Sequence, residues 1–150
     1  MNIVIRQMSI QDYNDVLALW RSSKGVVVSD ADSRDSIERY LNRNASLSLV
    51  AYDGKVLVAA VLCGHDGRRG FIYHLAVRKE YQRKGIGRQL VEQCLKGLSL
   101  ANIDTCHIFI LDDNKEALVF WEKMQWHKLQ WMNKSLIIMS SRMSDRLNDK

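Results

Sequence analysis

Apolar and polar positions along the chain change period several times, and each change marks an element. Ile3 to Arg6 alternates with the period of two expected of a half-buried strand. After Ser9 the period lengthens, so that Tyr13, Val16, Leu17 and Trp20 share one helical face. A polar stretch from Lys24 to Asp32 follows, and Ser33 then caps a second helix with Ile37, Tyr40 and Leu41 inward. Leu47 to Tyr52 and Val56 to Cys63 read as strands joined at Asp53-Gly54, a pair suited to the positive backbone angles of a tight hairpin. A second hairpin turns within Gly64 to Gly70 and returns along Phe71 to Val77. From Gly87 to Leu98 a stripe of Leu90, Val91, Cys94, Leu95 and Leu98 predicts a long amphipathic helix, and Thr105 to Leu111 is apolar enough for a buried strand. Asp113 or Asn114 caps a further helix reaching Lys123, Leu136 to Met139 reads as a last strand, and Met143 to Lys150 is a polar tail.

The order β, α, α, β, β, β, α, β, α, β predicts an α/β chain of the mixed α+β kind. Its central sheet is mixed and mostly antiparallel, with helices on its faces, because hairpins cannot join parallel strands. One parallel crossover links Phe71–Val77 to Thr105–Leu111 through the long helix.

Composition narrows this picture. The 150 residues are 47% hydrophobic and 26% charged, enough for one domain spanning residues 1–150 with a real core. The absence of a run of about twenty apolar residues, and an N-terminus that turns polar at once, predict a cytoplasmic protein with no membrane segment. Cys63, Cys94 and Cys106 show no CxxC spacing, so reduced core cysteines are expected, with neither disulfide nor metal. The net charge of +5 is scattered and carries no aromatic RNA-binding signature; no nucleic-acid partner is expected, and the field suits a small polyanion.

The candidate chemistry lies after Leu75-Ala76-Val77, where a basic loop and two glycines run straight into a helix. A helix N-terminus leaves about four amide N–H groups unpaired and carries roughly half a positive charge, so it attracts phosphate. Gly85 and Gly87 let that backbone come close, and Arg83, Lys84 and Arg88 add positive charge. Neither the third glycine of a dinucleotide fingerprint nor the G-K-S/T of a nucleotide P-loop is present.

The remaining spacing, Gln82-Arg83-Lys84-Gly85-Ile86-Gly87, resembles the coenzyme A loop of the GNAT family of acetyltransferases, Q/R-x-x-G-x-G/A. The run Asn114-Lys115-Glu116-Ala117-Leu118-Val119-Phe120-Trp121 to Trp126 is similar to that family's N-x-x-A-x-x-F-Y-x-x-x-G-F segment, and the element order matches nearly throughout. The resemblance implies acetyl-CoA as co-substrate and an amine, on a small molecule or a peptide, as acceptor. It implies that Leu75, Ala76 and Val77 offer backbone to the pantetheine arm, and that residues Gln82, Arg83, Lys84, Gly85, Ile86, Gly87 and Arg88 hold the pyrophosphate. Asn114 would touch the arm or serve as a plain helix cap, and Phe120 and Trp121 would flank the arm or fill core.

The chain departs from the family in two places. Trp121 stands where the family commonly has a tyrosine acid, and indole cannot protonate a departing thiolate, although a thiol with a pKa near about 8.5 can leave unaided. Gln125 replaces a glycine at a helix ending, where positive φ is usual. No base is marked either. Simple alternation puts Phe71, Tyr73, Leu75 and Val77 on one face and His74 on the other, making Tyr73 the candidate proton relay and His74 a core histidine. His107 reads as core or edge, and His65 and Asp66 as turn residues. Asp30 and Asp32, between the first two helices, would attract a cationic acceptor or cap the turn. Two functions fit: an N-acetyltransferase working by direct attack of an amine on the thioester, or a non-catalytic acyl-CoA sensor of the same fold. Trp126, Trp131 and the late strand offer apolar surface for a homodimer.

Overall fold

Backbone pairing sets the frame of the site. In the computed structural model, which describes residues 1–144 apart from the side chains of Trp131 and Ser135, β1 (Ile3–Gln7) leads through α1 (Tyr13–Ser22) and α2 (Arg34–Arg43) to β2 (Leu49–Asp53). β3 (Val56–His65) and β4 (Gly70–Val77) follow by turns too short for a crossover and pair antiparallel with their predecessors. Gly54, at φ +59°, opens the first of these turns. α3 (Ile86–Leu100) then carries the chain over to β5 (Cys106–Ile108), which pairs parallel with β4. The sheet order is β1-β2-β3-β4-β5, antiparallel up to β4 with one parallel crossover to β5, the pairing senses that the element order predicts. Residues Met1–Asn114 form one unit, and a second begins at Lys115.

Local chemistry starts the helices where the sequence predicts. The Ser33 side chain accepts the Ser36 N–H at 3.2 Å and caps α2. Ahead of α1 and α2 lie 3-10 turns, Ile10–Asp12 and Asp30–Asp32, each closed by an aspartate that accepts the N–H of the preceding serine, Ser9 at 2.9 Å and Ser29 at 3.0 Å. β3 is the buried centre of the sheet, with Leu57 to Cys63 at most 4% exposed. On one face Trp20, Val16 and Ile37 from α1 and α2 pack with Leu57, Ala60, Leu62 and Ala76. Leu90, Val91, Cys94 and Leu98 of α3 are likewise buried, and Leu98 lies where a Cβ on Gly70 would come within 2.6 Å. Cys63 and Cys94 are buried free thiols, whereas Cys106, expected in the core, is only partly buried, and burial raises its thiol to about 12.

Two expectations fail. The strand predicted over Thr105–Leu111 is only Cys106–Ile108, because its partner β4 is paired with it no further than Ile72, and Phe109 and Leu111 are exposed. The strand predicted over Leu136–Met139 is absent; those residues are exposed and have no ladder among the described residues. Instead β6 (Gln130–Trp131) and β7 (Lys134–Ser135) make a two-residue hairpin, turned by Met132 and Asn133 at φ +51° and +62°. Of the expected polar tail, residues 145–150 lie outside the described residues.

In the second unit, α4 (Lys115–Lys123) ends in a Schellman motif. The Trp126 N–H reaches the Trp121 carbonyl at 3.1 Å, and the Gln125 N–H reaches that of Glu122 at 2.9 Å. Gln125 takes φ +67°, a conformation that costs a residue with a Cβ about 1–2 kcal/mol. Gln125→Gly is therefore expected to stabilise the unit by about 1 kcal/mol, read as a higher urea midpoint with an unchanged slope.

Candidate functional site at the end of β4

The site begins with a break in β4. Ala60 pairs with Ala76, and Leu62 pairs with Tyr73, so β4 holds one residue more than β3 over this span. The extra residue is accommodated at His74, which takes φ +53°. Its carbonyl, turned out of the ladder, accepts the Trp20 indole N–H at 2.9 Å. The bulge overturns the simple alternation. Because Ala60 and Leu62 share a face, Tyr73 and Ala76 share it too, and Leu75 no longer follows Tyr73. His74 does not point away from α1: its ring meets the Trp20 ring at 4.9 Å, and its Nε2 lies 3.0 Å from both carboxylate oxygens of Asp32.

After Val77 the loop is tied down at several points before it reaches α3. The Arg78 N–H and Nε donate to the Val58 and Leu57 carbonyls at 2.8 and 2.6 Å. The Tyr81 hydroxyl donates to Asp53 at 2.8 Å, and that bond, joined by the Asn2 N–H, holds the Asp53 carboxyl below its usual range. The Gln82 side-chain amide donates to the Val77 carbonyl at 3.0 Å, so Gln82 fixes the loop to the strand end. Arg83, exposed at φ +59°, and Gly85, at φ +82°, then turn the chain into the helix.

Gly85 is the N-cap of α3 and brings no capping side chain. The first N–H to bond back is that of Gln89, to the Gly85 carbonyl at 3.0 Å, leaving those of Ile86, Gly87 and Arg88 without an intrahelical acceptor. A Cβ on Gly85 would meet nothing within 4 Å. Ile86 is buried and contributes only its amide. Arg88 pairs with Glu92 at 2.9 Å, and the Lys84 amine lies 5.8 Å from the Tyr81 ring centre. An open set of main-chain donors at a positive helix end, approached without a Cβ and flanked by cations, fits a pyrophosphate.

On the α1/α2 face, Phe71 stacks on Tyr73 at 6.0 Å, and Phe109 touches both rings, with centres 6.1 and 5.9 Å away. His107 joins this wall through Phe71 at 5.7 Å. Burial pushes the Tyr73 phenol up, so it stays protonated. A cavity of about 250 Å³ opens beside it, between Tyr40 and Arg43 of α2, His65 and Asp66 at the end of β3, and Phe71 and Tyr73. The Tyr40 hydroxyl is buried without a hydrogen-bond partner, and burial raises its pKa strongly. His65 and Asp66 serve the turn, accepting the N–H groups of Gly67, Arg68 and Arg69.

Of the acidic pair between the first helices, Asp30 is exposed, while Asp32 is 5% exposed and turned onto His74. The Tyr13 hydroxyl fixes the Asp32 main chain by donating to its carbonyl at 2.6 Å. Asn114 packs its amide against Gly25, where an added Cβ would fall 2.3 Å from Nδ2. In the second unit the Trp121 ring is 7% exposed and meets the Phe120 and Trp126 rings at 5.3 and 4.7 Å. Three contacts were not legible in the sequence: the Trp20 indole on the His74 carbonyl, the Asp32–His74 pair and the Tyr81–Asp53 tie. Each joins residues far apart in the chain, and no local spacing signals them.

Residues 13–126 match the Acetyltransferase (GNAT) family, and the chain belongs to that family. It is an acetyltransferase-family enzyme. An acetyltransferase of Pectobacterium atrosepticum is 30% identical over 122 residues, covering 81% of this chain and 86% of the relative. One from Sodalis glossinidius is 27% identical over 139 residues, 93% and 94% of the two chains. Among solved structures, Ard1 from Thermoplasma volcanium superposes with a TM-score of 0.76 at 18% identity, covering 87% of this chain and 86% of that one. The PaiA N-acetyltransferase from Thermoplasma acidophilum, in complex with coenzyme A, gives 0.70 at 20% identity, covering 83% and 89%.

The Trp20 indole is fully buried and bridges α1 to the bulge, so Trp20→Phe leaves the His74 carbonyl short of its donor. A loss of about 1–3 kcal/mol is expected, measured as a lower midpoint in chemical denaturation.

Proposed function

We propose that the chain is an acetyl-CoA-dependent N-acetyltransferase, one catalytic domain over residues 1–150, that passes an acetyl group to an amine by direct attack on the thioester. The observation that carries this reading is the uncapped N-terminus of α3 behind Gly85, placed directly after the bulged end of β4. The main-chain amides of Ile86, Gly87 and Arg88 would hold the pyrophosphate, with Arg83 and Lys84 contributing charge and Gln82 keeping the loop in place. The backbone of Leu75, Ala76 and Val77, beyond the last residue paired with β5, would receive the pantetheine arm as an added strand segment. The family resemblance gives Asn114, Phe120 and Trp121 as further proposed cofactor contacts. That a PaiA N-acetyltransferase of the same fold holds coenzyme A supports the assignment.

When bound, acetyl-CoA supplies an activated acetyl thioester. The protein's part is positioning first, which can be worth about 7 kcal/mol when geometry is good. Backbone N–H groups freed near the bulge would polarise the thioester carbonyl. Tyr73, a protonated phenol on the α1/α2 face, would relay a proton to the departing sulfur in place of the tyrosine that Trp121 replaces. Asp30, exposed near the start of α2, would draw a cationic acceptor, and Asp32 would act on the acceptor through His74. A cytoplasmic location and a homodimer belong to the same proposal.

Trp121 also favours a second reading, an acyl-CoA sensor without turnover. Incubation with acetyl-CoA and a broad amine panel separates the two: release of free thiol with an acceptor supports the enzyme, and binding without release on any amine supports the sensor. For the loop, Gly87→Glu puts a carboxylate into the first turn of α3. A loss of acetyl-CoA affinity of at least about 100-fold is expected in calorimetry, and unchanged binding would remove the phosphate-loop assignment.

A further inference from the structure

We propose that His74 is the catalytic base of this enzyme and that Asp32 is the residue that positions it, an assignment that rests on the acetyltransferase reading above. Asp32 is buried and held from three sides. The Ser29 N–H donates to its Oδ2 at 3.0 Å, the Tyr13 hydroxyl to its carbonyl at 2.6 Å, and both carboxylate oxygens lie 3.0 Å from His74 Nε2. An ionised carboxylate only accepts, so Nε2 carries the proton of the neutral ring and Nδ1 keeps its lone pair. Nδ1 makes no hydrogen bond with any described residue, and the side chain is 20% exposed. One ring nitrogen is fixed and the other is left open.

The place matters as much as the chemistry. His74 is the bulge residue itself, two positions beyond Ile72, the last residue of β4 paired with β5. Its left-handed backbone is an uncommon conformation for a residue with a Cβ, and the Trp20 indole holds it there. The imidazole is therefore set where the two strands part, one residue after Tyr73.

An amine acceptor reaches neutral solution as an ammonium and cannot attack until it loses a proton. Nδ1 takes that proton, and the Asp32 carboxylate stabilises the imidazolium that results. The freed nitrogen forms the C–N bond to the acetyl carbon as the C–S bond breaks. Of the three ammonium protons, one passes through His74 to water, one stays on the amide nitrogen, and one is relayed to the coenzyme A sulfur. The ionisable group that touches this ring is Asp32; Tyr13, bonded to the Asp32 carbonyl, has the Arg34 guanidinium 5.9 Å from its ring centre, Tyr40 of α2 and Tyr73 of β4 pack against the same cluster, and β3 presents Leu57, Ala60 and Leu62 on this face.

His74→Gly suits the positive φ and removes only the imidazole, so the fold is expected to survive. With acetyl-CoA and the best acceptor from a panel of polyamine, lysine and a peptide N-terminus, the variant should lose about 100-fold in kcat, with acetyl-CoA affinity within twofold. The acid limb of the wild-type kcat/KM profile should vanish in the variant, and added imidazole should restore at least about tenfold. Asp32→Asn should lower kcat while leaving acetyl-CoA affinity unchanged. A readout without turnover is nitrogen NMR of the ligand-free protein, which should show neutral His74 protonated at Nε2 and this preference lost in Asp32→Asn. A variant that keeps the acid limb and stays within threefold of the wild-type rate, or a ring protonated at Nδ1, overturns the assignment while the acetyltransferase reading stands. A wild-type protein that binds acetyl-CoA and acetylates nothing in the panel defeats that reading, and this assignment with it.

Discussion

The Trp20 indole bonded to the His74 carbonyl is the contact on which the site depends. A peptide group turned out of its ladder inside a sheet loses a hydrogen bond, and the left-handed φ of His74 adds about 1–2 kcal/mol to that loss. Trp20, fully buried on α1, replaces the lost partner. The consequences run outward. β4 gains a residue on β3, the faces of its last residues exchange, pairing with β5 stops at Ile72, and the strand end is left with main chain to offer. A core helix thereby decides how the strand end proposed to meet coenzyme A is presented.

The loop beyond the bulge shows a second constraint, rigidity supplied from outside the loop. Arg78 is bonded to β3, Tyr81 to Asp53 at the end of β2, and Gln82 to Val77. With those ties made, the amides at the start of α3 need no further ordering when an anion arrives, so less of the binding energy is spent on conformational entropy. The charged side chains have a lesser part. Arg88 already holds Glu92, and Lys84 lies near the Tyr81 ring, which leaves main-chain dipoles as the principal donors.

What the sequence made legible follows the range of the interactions. Periodicity over ten residues found the helices and most strands, and the spacing from Gln82 to Gly87 found the loop, because both are local patterns. The Ser33 cap and the positive φ at Gln125 are local too, and the structure shows both, while the hairpin expected at Asp53-Gly54 turns one residue later, on Gly54 and Lys55, with Asp53 still paired to Val56. The bulge is not local. Alternation through Phe71, Tyr73, Leu75 and Val77 looks regular as a string, and only the count of residues between Ala60 and Ala76 reveals the slip. That slip explains why Thr105–Leu111 yields only three paired residues, and why Asp32, expected to attract an acceptor or cap a turn, meets His74, expected in the core. Leu136 to Met139 has the composition of a strand and no ladder among the described residues, which is the usual failing of propensity without a partner.

Coenzyme A recognition and acceptor chemistry therefore make different demands on a sequence. A pyrophosphate held by main-chain amides requires a helix start, two glycines and a tethered loop, and leaves most side chains free to change. Proton transfer has no such latitude, because it needs particular atoms at hydrogen-bond distance. In this chain the indole at Trp121 cannot supply a proton, and the groups that can hold or move one stand around the bulge: a protonated phenol at Tyr73 and an imidazole oriented by a buried carboxylate. The same backbone defect that leaves the end of β4 unpaired on the β5 side also turns His74 toward Asp32, so the proposed cofactor-binding and proton-handling parts of the site share one structural origin.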